Sequence, residues 1–384
     1  MVFSNKYIDY KTKSKRELYE TLILFELLSR PYLVYFGKYM LKFALQIKLP
    51  ILGIIKKTIF KHFCGGEDII ESKKKIKELG KSNIKTILDY SVEGQQNSKN
   101  LEKVYHEIIN NLNLSKNNNL IPFCVFKVTG ITRFKLLKKL SKNTPLNELE
   151  NKELQTLKNR LHKICSKAQT VNKPVLIDAE ESWIQKAIDE LVEQLMMQFN
   201  QKSVLVYNTL QFYRWDRVKY MKELHKRAKN QNFKIGIKIV RGAYMEKERF
   251  RSNKKKYKSP IHKNKLACDN DFDNASKYCL QNIKDISICF GTHNEQSTQN
   301  IIELMKEYNI ENNDNRIFFS QLLGMSDNIS FYLAHFNYNV AKYVPYGPVK
   351  YVIPYLIRRA EENSSIGSQT HDEIKRLKEA INNI

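Results

Sequence analysis

Tyr343-Val-Pro-Tyr-Gly-Pro-Val-Lys-Tyr-Val-Ile-Pro-Tyr-Leu-Ile-Arg-Arg-Ala-Glu-Glu-Asn363 reads as a strand end, a Pro/Gly turn, and a helix carrying Arg358 and Arg359 side by side. Paired arginines grip a carboxylate or phosphate through forked, charge-assisted hydrogen bonds. Neighbours on a helix point about 100° apart, so the two embrace one anion from two sides. Upstream the strand-then-helix texture repeats from residue 84. Short apolar runs at Thr86–Ser91, Phe123–Thr129, Pro174–Asp178, Val204–Asn208, Lys234–Val240, Ile288–Thr292, Arg316–Ser320 and Asn339–Tyr343 alternate with long amphipathic segments. Eight strands, each followed by helix, predict an α/β fold of the (β/α)8 TIM-barrel type. A doubly wound open sheet is the alternative, but its G-x-G-x-x-G first turn is absent.

Ahead of the barrel, residues 1–82 read as an N-terminal helical arm, and 83–384 as the catalytic barrel. Apolar residues recur at helical spacing through Leu18, Leu22, Leu24, Phe25 and Leu28, and again from Tyr35 to Ile47, until Cys64-Gly65-Gly66 breaks the pattern. The most apolar early segment, Leu41–Ile55, contains Lys42, Lys48 and Pro50, which argues against a bilayer span. No signal-peptide pattern opens the chain. Peripheral membrane contact by the basic N-terminal helices stays open. At 42% apolar and 11% aromatic residues the chain is globular rather than disordered.

The formal charge is +25, from 65 Lys and Arg against 40 Asp and Glu. Such an excess draws attention to nucleic acid or anionic membrane. Lys, Asn and Ile are abundant everywhere, loops included, which reads as coding drift. No dense basic block interleaved with aromatics occurs, so nucleic-acid binding is not expected. Six scattered cysteines without a Cys-x-x-Cys point to a reducing cytosol and to no disulfide framework or zinc site.

In a barrel the chemistry lies where strands end. There the sequence places Lys127, Asp178-Ala179-Glu180, Asn208 and Gln211. It also places Lys238 with Arg241-Gly242-Ala243-Tyr244, Thr292-His293-Asn294, Gln321-Leu322-Leu323-Gly324-Met325 and Tyr343. Solvated loop starts are polar as well, but that does not explain Lys127 and Lys238 inside apolar strands, because a buried Lys is rare without a partner. No nucleophile elbow, H-E-x-x-H or His-x-His occurs, so acyl transfer and metal chemistry are disfavoured. Fixed cations with few acids suit an anionic substrate, an anionic cofactor, or both, with the hard chemistry left to the cofactor.

Several motifs resemble the proline dehydrogenase family: Leu88-Asp89-Tyr90-Ser91-Val92-Glu93, Val175–Glu180, Lys238–Tyr244, Gln321–Met325 and the 343–363 block, in family order. The arm through Phe60-Lys61-His62-Phe63-Cys64-Gly65-Gly66 is similar to the single-function form. The resemblance implies a distorted (β/α)8 barrel that binds FAD and oxidises L-proline to Δ1-pyrroline-5-carboxylate, the first step of proline degradation to glutamate. Arg358 and Arg359 would hold the proline carboxylate. Tyr343, Tyr355, Leu322, Ala243 and Tyr244 would wall the ring, and Lys127 and Asp178 would line the same pocket. Lys238 would lie near flavin N5. Val240, Arg241, Gly242, Ala243, Gln211, Ala179, Thr292, His293 and Glu362 would surround FAD. Asp178 either deprotonates the substrate or pairs with Lys127, and pairing is favoured because an Asp beside a Lys stays ionised.

The family's bifunctional bacterial members carry Arg where this chain has Lys238, a point charge instead of a planar fork. Electrons are expected to pass to a quinone, and the location is expected to be cytoplasmic with peripheral contact on the inner face of the membrane. Two rival readings are a flavin barrel like methylenetetrahydrofolate reductase and a noncatalytic basic module. The segment from Arg251 to Lys265, dense in Lys, is either a lid or solvated surface.

Overall fold

Eight strands close into a barrel in sequence order in the computed structural model, which describes residues 3, 14–47, 49–92, 97–365 and 367–382. They are β1 (Lys85–Tyr90), β2 (Cys124–Lys127), β3 (Val175–Asp178), β4 (Val206–Gln211), β5 (Ile235–Val240), β6 (Ile286–Gly291), β7 (Ile317–Leu322) and β8 (Val340–Tyr346). All neighbours are parallel, and β8 closes on β1. The arm holds α1 (Lys15–Leu28), α2 (Pro31–Gln46), α3 (Leu52–Ile55), α4 (Lys61–Phe63) and α5 (Ile69–Gly80). Around the barrel run α6 (Ser98–Ser115), α7 (Phe134–Ser141), α8 (Glu148–Thr170), α9 (Ser182–Phe199), α10 (Arg217–Asn230) and α11 (Met245–Lys255). After these come α12 (Lys265–Gln281), α13 (Glu295–Glu307), α14 (Asp327–His335), α15 (Val349–Ser365) and α16 (Gly367–Asn382). Glu93, part of one resemblance motif, lies outside the described residues.

The abundant asparagines have a structural job at both helix ends. At the starts of α6, α8, α12 and α13, Asn97, Asn147, Asn264 and Asn294 each accept the backbone N–H three residues on. At the exits, Asn83, Asn117, Asn143, Asn172, Asn232, Asn309 and Asn337 take the left-handed conformation, φ 52° to 60°, that usually calls for glycine. Asn is the non-glycine residue that tolerates this region best. Asn232→Val is therefore expected to cost about 1–2 kcal/mol in denaturant melts, while Asn232→Gly stays near the parent. Equal stability of the two variants would refute that reading.

Alternation along the strands sorts the core into two layers. Outward residues such as Ile235, Ile237 and Ile239 join the large cluster between sheet and helices. Inward residues Ile87, Phe123, Val125, Leu176, Tyr207, Cys289, Phe318, Ala341 and Tyr343 fill the barrel. The same alternation turns Lys127, Asp178 and Lys238 inward, each near the carboxyl end of its strand. The lysines inside apolar strands thus belong to the barrel's upper inner layer.

Several strand ends differ from the sequence expectation: β2 stops at Lys127 instead of Thr129, and β7 runs on from Ser320 to Leu322. β4 extends to Gln211, so that residue ends the strand instead of lying beyond it. β8 extends past Tyr343 to Tyr346, and the turn sits at Gly347 (φ 139°). The arm causes this extension. Gly65 N–H donates to Pro345 O (2.8 Å), Gly347 N–H donates to Gly66 O (3.1 Å), and Gly66 bridges to Tyr346. A Cβ on Gly65 would lie 2.5 Å from Val344 Cγ1, so the close approach requires glycine there.

Beyond this latch the arm packs into the catalytic end. Leu28, Phe60, Phe63 and Cys64 form one cluster with Val352, Tyr355, Leu356 and Ala360 of α15. On α1, Leu18, Leu22 and Phe25 pack on Leu377, Ala380 and Ile381 of α16. No described helix is long and apolar enough to cross a membrane. The segment 251–265 is not a free loop. Its first residues continue α11, Trp215 N–H donates to Pro260 O (3.2 Å), and His262 N–H donates to Tyr213 O (2.8 Å).

Candidate functional site

Inside the upper barrel Lys238 Nζ donates to Asp178 Oδ1 and to Tyr343 Oη (2.6 Å), joining β3, β5 and β8. Burial, then the nearby Asp178 charge, holds the Tyr343 phenol well above its usual pKa, so it stays neutral. The cation held by Asp178 is thus Lys238, two strands away, where the sequence reading favoured Lys127. Lys127 lies beside Asp178 in the β2–β3 register, and its Nζ is 4.0 Å from Asp89 Oδ2. Strand register supplies neighbours, whereas the chord across the barrel interior supplied this pair.

Above this layer α15 presents Tyr355, Arg358 and Arg359. Arg359 is buried, and its two terminal nitrogens fork onto Glu362, at 2.5 Å to Oε2 and 2.6 Å to Oε1. The couple is therefore not an exposed surface ion pair. Burial raises the Glu362 carboxyl and the Arg359 and Arg358 charges pull it back. Two buried polar atoms here make no hydrogen bond, Arg359 Nε and Tyr355 Oη. The Arg359 guanidinium stands 5.2 Å from the Tyr355 ring centroid. Leu322 packs against both the barrel-interior cluster and the α15 cluster, so it joins the two. Arg358 is half-buried.

On the other side of the strand ends, Gln211 works as a brace. Its Nε2 donates to Glu180 O (2.8 Å) and its Oε1 accepts the Ala243 N–H (3.2 Å), fixing the Arg241–Ala243 turn to β3. Gly242 has φ 139°, and a Cβ there would lie 2.5 Å from the Tyr213 ring. Arg241 turns outward to Asp269 Oδ1 (2.6 Å), Thr292 Oγ1 (2.9 Å) and Ser297 Oγ (2.9 Å), over the face of Phe272. His293 Nδ1 lies 3.1 Å from Ser326 Oγ. Burial, then the charges of Lys342, Arg359 and Arg241, depress its pKa to about 3, so the imidazole is neutral. His293, Ser326, Glu362, Asn363 and Arg376 line one cleft. Tyr244 caps the start of α11, with its ring 5.3 Å from Lys247 Nζ. Ala179 is buried, while Val240 is half-buried beside the exposed Gly242 and Ala243.

One residue at the site escaped the sequence reading, and one was placed at a strand end without a role. Lys342 is fully buried on the outer side of β8, where Nζ donates to Met325 O (2.6 Å) and pairs with Asp327 (2.8 Å). It anchors the loop that presents Leu322 and Ser326. The signal was the same as for Lys127 and Lys238, a lysine within the apolar run Val340-Ala-Lys-Tyr-Val344. Glu180 is the other. Burial raises its carboxyl to about 7, against the lowering effect of Thr129, whose N–H (3.0 Å) and hydroxyl both donate to it.

Glu180 has a pH signature. Its folded pKa lies above its ordinary 4.5, so the folded state holds the extra proton. Stability is then fully present below about pH 4.5 and is lost as pH rises through about 7, by roughly 3 kcal/mol. Glu180→Gln, which mimics the protonated form, is expected to gain in Tm relative to the parent between pH 5 and pH 8. A constant Tm difference would contradict the raised pKa.

The model of the family described as "Proline dehydrogenase" matches residues 72–372. "Proline dehydrogenase 1, mitochondrial" of Dictyostelium discoideum is 31% identical, covering 97% of this chain and 73% of that protein. "Hydroxyproline dehydrogenase" of Xenopus laevis is 30% identical, covering 93% of this chain and 84% of that one. Among solved structures, proline utilization A from Bdellovibrio bacteriovorus, inactivated by N-propargylglycine, superposes with a TM-score of 0.73 at 20% identity. That match covers 95% of this chain but only 39% of the solved one, and it bears on the fold.

Proposed function

The chain belongs to the proline dehydrogenase family, and from that premise we propose that it oxidises L-proline to Δ1-pyrroline-5-carboxylate with FAD as cofactor. It is an oxidoreductase that acts on proline and opens proline catabolism. The observation that carries the site reading is the pair of unbonded, buried polar atoms on α15, Arg359 Nε and Tyr355 Oη. Native interiors rarely leave such groups unsatisfied, so they mark where a ligand completes the bonding. The proline carboxylate is the ligand group whose charge fits.

Residues on the opposite side fit an anionic dinucleotide. Burial, reinforced by the positive charges of Lys342, Arg359 and Arg241, keeps His293 neutral, and His293 shares its cleft with Glu362 and Arg376. Gln211, Ala179, Val240, Arg241, Gly242, Ala243, Thr292, His293 and Glu362 would hold FAD. When bound, FAD supplies the two-electron acceptor.

The chain's own residues would do the rest. Arg358 and Arg359 take the carboxylate, and Tyr343, Tyr355, Leu322, Ala243 and Tyr244 wall the ring. Lys127 and Asp178 line the pocket, with Asp178 committed to Lys238 and so positioned to orient rather than to deprotonate. Proline enters as the free amine. Its nitrogen lone pair becomes the C=N π bond as hydride leaves C5, and the N–H proton then goes to solvent. Lys238 keeps a fixed positive charge where the electrons arrive, and positioning plus this field supply most of the rate. Electrons then pass to a quinone, a reading supported by the family and the basic surface.

Anaerobic addition of L-proline to the flavin-loaded protein is expected to bleach the flavin absorbance. Retained colour would sink the assignment.

A further inference from the structure

Asn208 lies on β4 but faces outward, since its neighbour Tyr207 points into the barrel. Its Nδ2 donates to Asp189 Oδ1 (2.9 Å) of α9, and the same oxygen accepts Gln185 Nε2 (2.8 Å). The other oxygen, Oδ2, accepts Arg217 Nη1 (2.8 Å) at the start of α10. All four side chains are buried. One carboxylate behind the sheet thus collects donors from its own helix, from β4 and from α10.

A buried ionic hub is weak evidence of stability, because well-packed apolar side chains often serve a fold as well or better. What this one supplies is direction. Gln185 Oε1 accepts the Glu180 N–H (2.7 Å), and a backbone N–H can meet only an acceptor, so Gln185 Nε2 must face Asp189. Asn208 is fixed likewise, because its Oδ1 accepts the Thr209 N–H (2.9 Å). From Glu180 the bonds run on. Its carbonyl accepts Gln211 Nε2, and Gln211 Oε1 accepts the Ala243 N–H. Backbone bonds hold the neighbouring turn only as far as Arg241, through Phe212 N–H to Val240 O (2.8 Å) and Tyr213 N–H to Arg241 O (2.6 Å). Past Gly242, with its φ of 139°, the Ala243 N–H depends on Gln211.

We propose that Asp189 is a positioning residue for the flavin side of the site. Its Oδ1, through Gln185 and Glu180, holds Gln211 and the Arg241–Gly242–Ala243 turn in the geometry that takes FAD. The carboxylate lies behind the sheet and acts only through these side chains. This rests on the FAD reading above. Arg217 also forks onto Asp216, but Arg214 Nε (3.0 Å) and Nη2 (2.6 Å) hold that carboxylate independently. The loop after Gln211 therefore does not rely on Arg217.

Three variants of the full chain separate position from stability. Gln185→Met cuts the bond to Glu180. Asp189→Leu with Arg217→Met removes the hub without stranding a charge, since Asp216 keeps Arg214. Asp189→Asn with Arg217→Met keeps an oxygen for Gln185 and Asn208 and is the conservative rescue. Two quantities are read: FAD dissociation, followed by the recovery of flavin fluorescence, and amide hydrogen exchange of residues 241–244. The first two variants are expected to weaken FAD binding about tenfold and to speed exchange at 241–244 to a similar degree, with exchange in the barrel strands unchanged. The third is expected to return both to the parent values. Parent-like values in Gln185→Met would overturn the proposal. So would a third variant that falls with the second, since affinity would then follow melting temperature and not the retained oxygen. A parent that takes up no FAD would sink the cofactor reading instead, and exchange at 241–244 would still decide the positioning.

Discussion

Arg359→Met is expected to raise the proline KM by about 30- to 5000-fold while kcat falls much less. The figure follows from losing one partner of a buried, hydrogen-bonded charge pair, worth about 2–5 kcal/mol. The carboxylate lies away from the C5 position that reacts, so its grip is mostly felt equally in ground and transition states. That pattern moves KM before kcat. A structural effect has to be separated from this. Arg359 also forks onto Glu362, and its loss leaves a carboxylate in a buried setting without that partner. Arg359→Met combined with Glu362→Gln is therefore expected to recover the melting temperature and not the KM. An unchanged KM in the single variant would remove the carboxylate-clamp role.

Lys238→Met carries the second large effect, this time on kcat and on stability together. Lys238 is buried between Asp178 and Tyr343, and removing it strands a carboxylate inside the barrel. Breaking such a pair costs about 3–5 kcal/mol, more than most point substitutions. The rate of flavin bleaching at saturating proline is expected to drop by about two to three orders of magnitude with the loss of a preorganised charge. Lys238→Met with Asp178→Asn removes the stranded charge, so it is expected to restore most of the stability and none of the rate. If the double variant melts as low as the single one, the ion pair is not what Lys238 contributes.

Much of this architecture was legible because strands and helices write themselves as periods. Eight apolar runs marked eight strands, and lysines within two of them marked the functional layer. Which carboxylate each lysine meets was not legible. Asp178 and Lys238 lie on β3 and β5, and they meet only because the closed sheet brings alternate strands together across the interior. The extension of β8 to Tyr346 depends on the arm, far earlier in the chain, laying Gly65 beside Pro345 and Gly66 beside Tyr346. Lys342 carried the same signal as Lys238 and went unread because it faces outward, where a charged side chain has less reason to sit. The asparagines looked like compositional drift until their backbone angles placed seven of them at helix exits.

The clasp of α1 on α16 bears on how the chain is made. Leu18, Leu22 and Phe25 are synthesised about 350 residues before their partners Leu377, Ala380 and Ile381. β1 likewise waits for β8 before the barrel can close. Contacts between such distant positions are slow to form and leave apolar surface uncovered meanwhile. A nascent chain on the ribosome thus carries an open sheet until β8 emerges and an unpaired first helix until α16 does. Chaperone demand is set by that interval, and a stop codon shortly before α16 is expected to yield aggregate rather than a weakened enzyme.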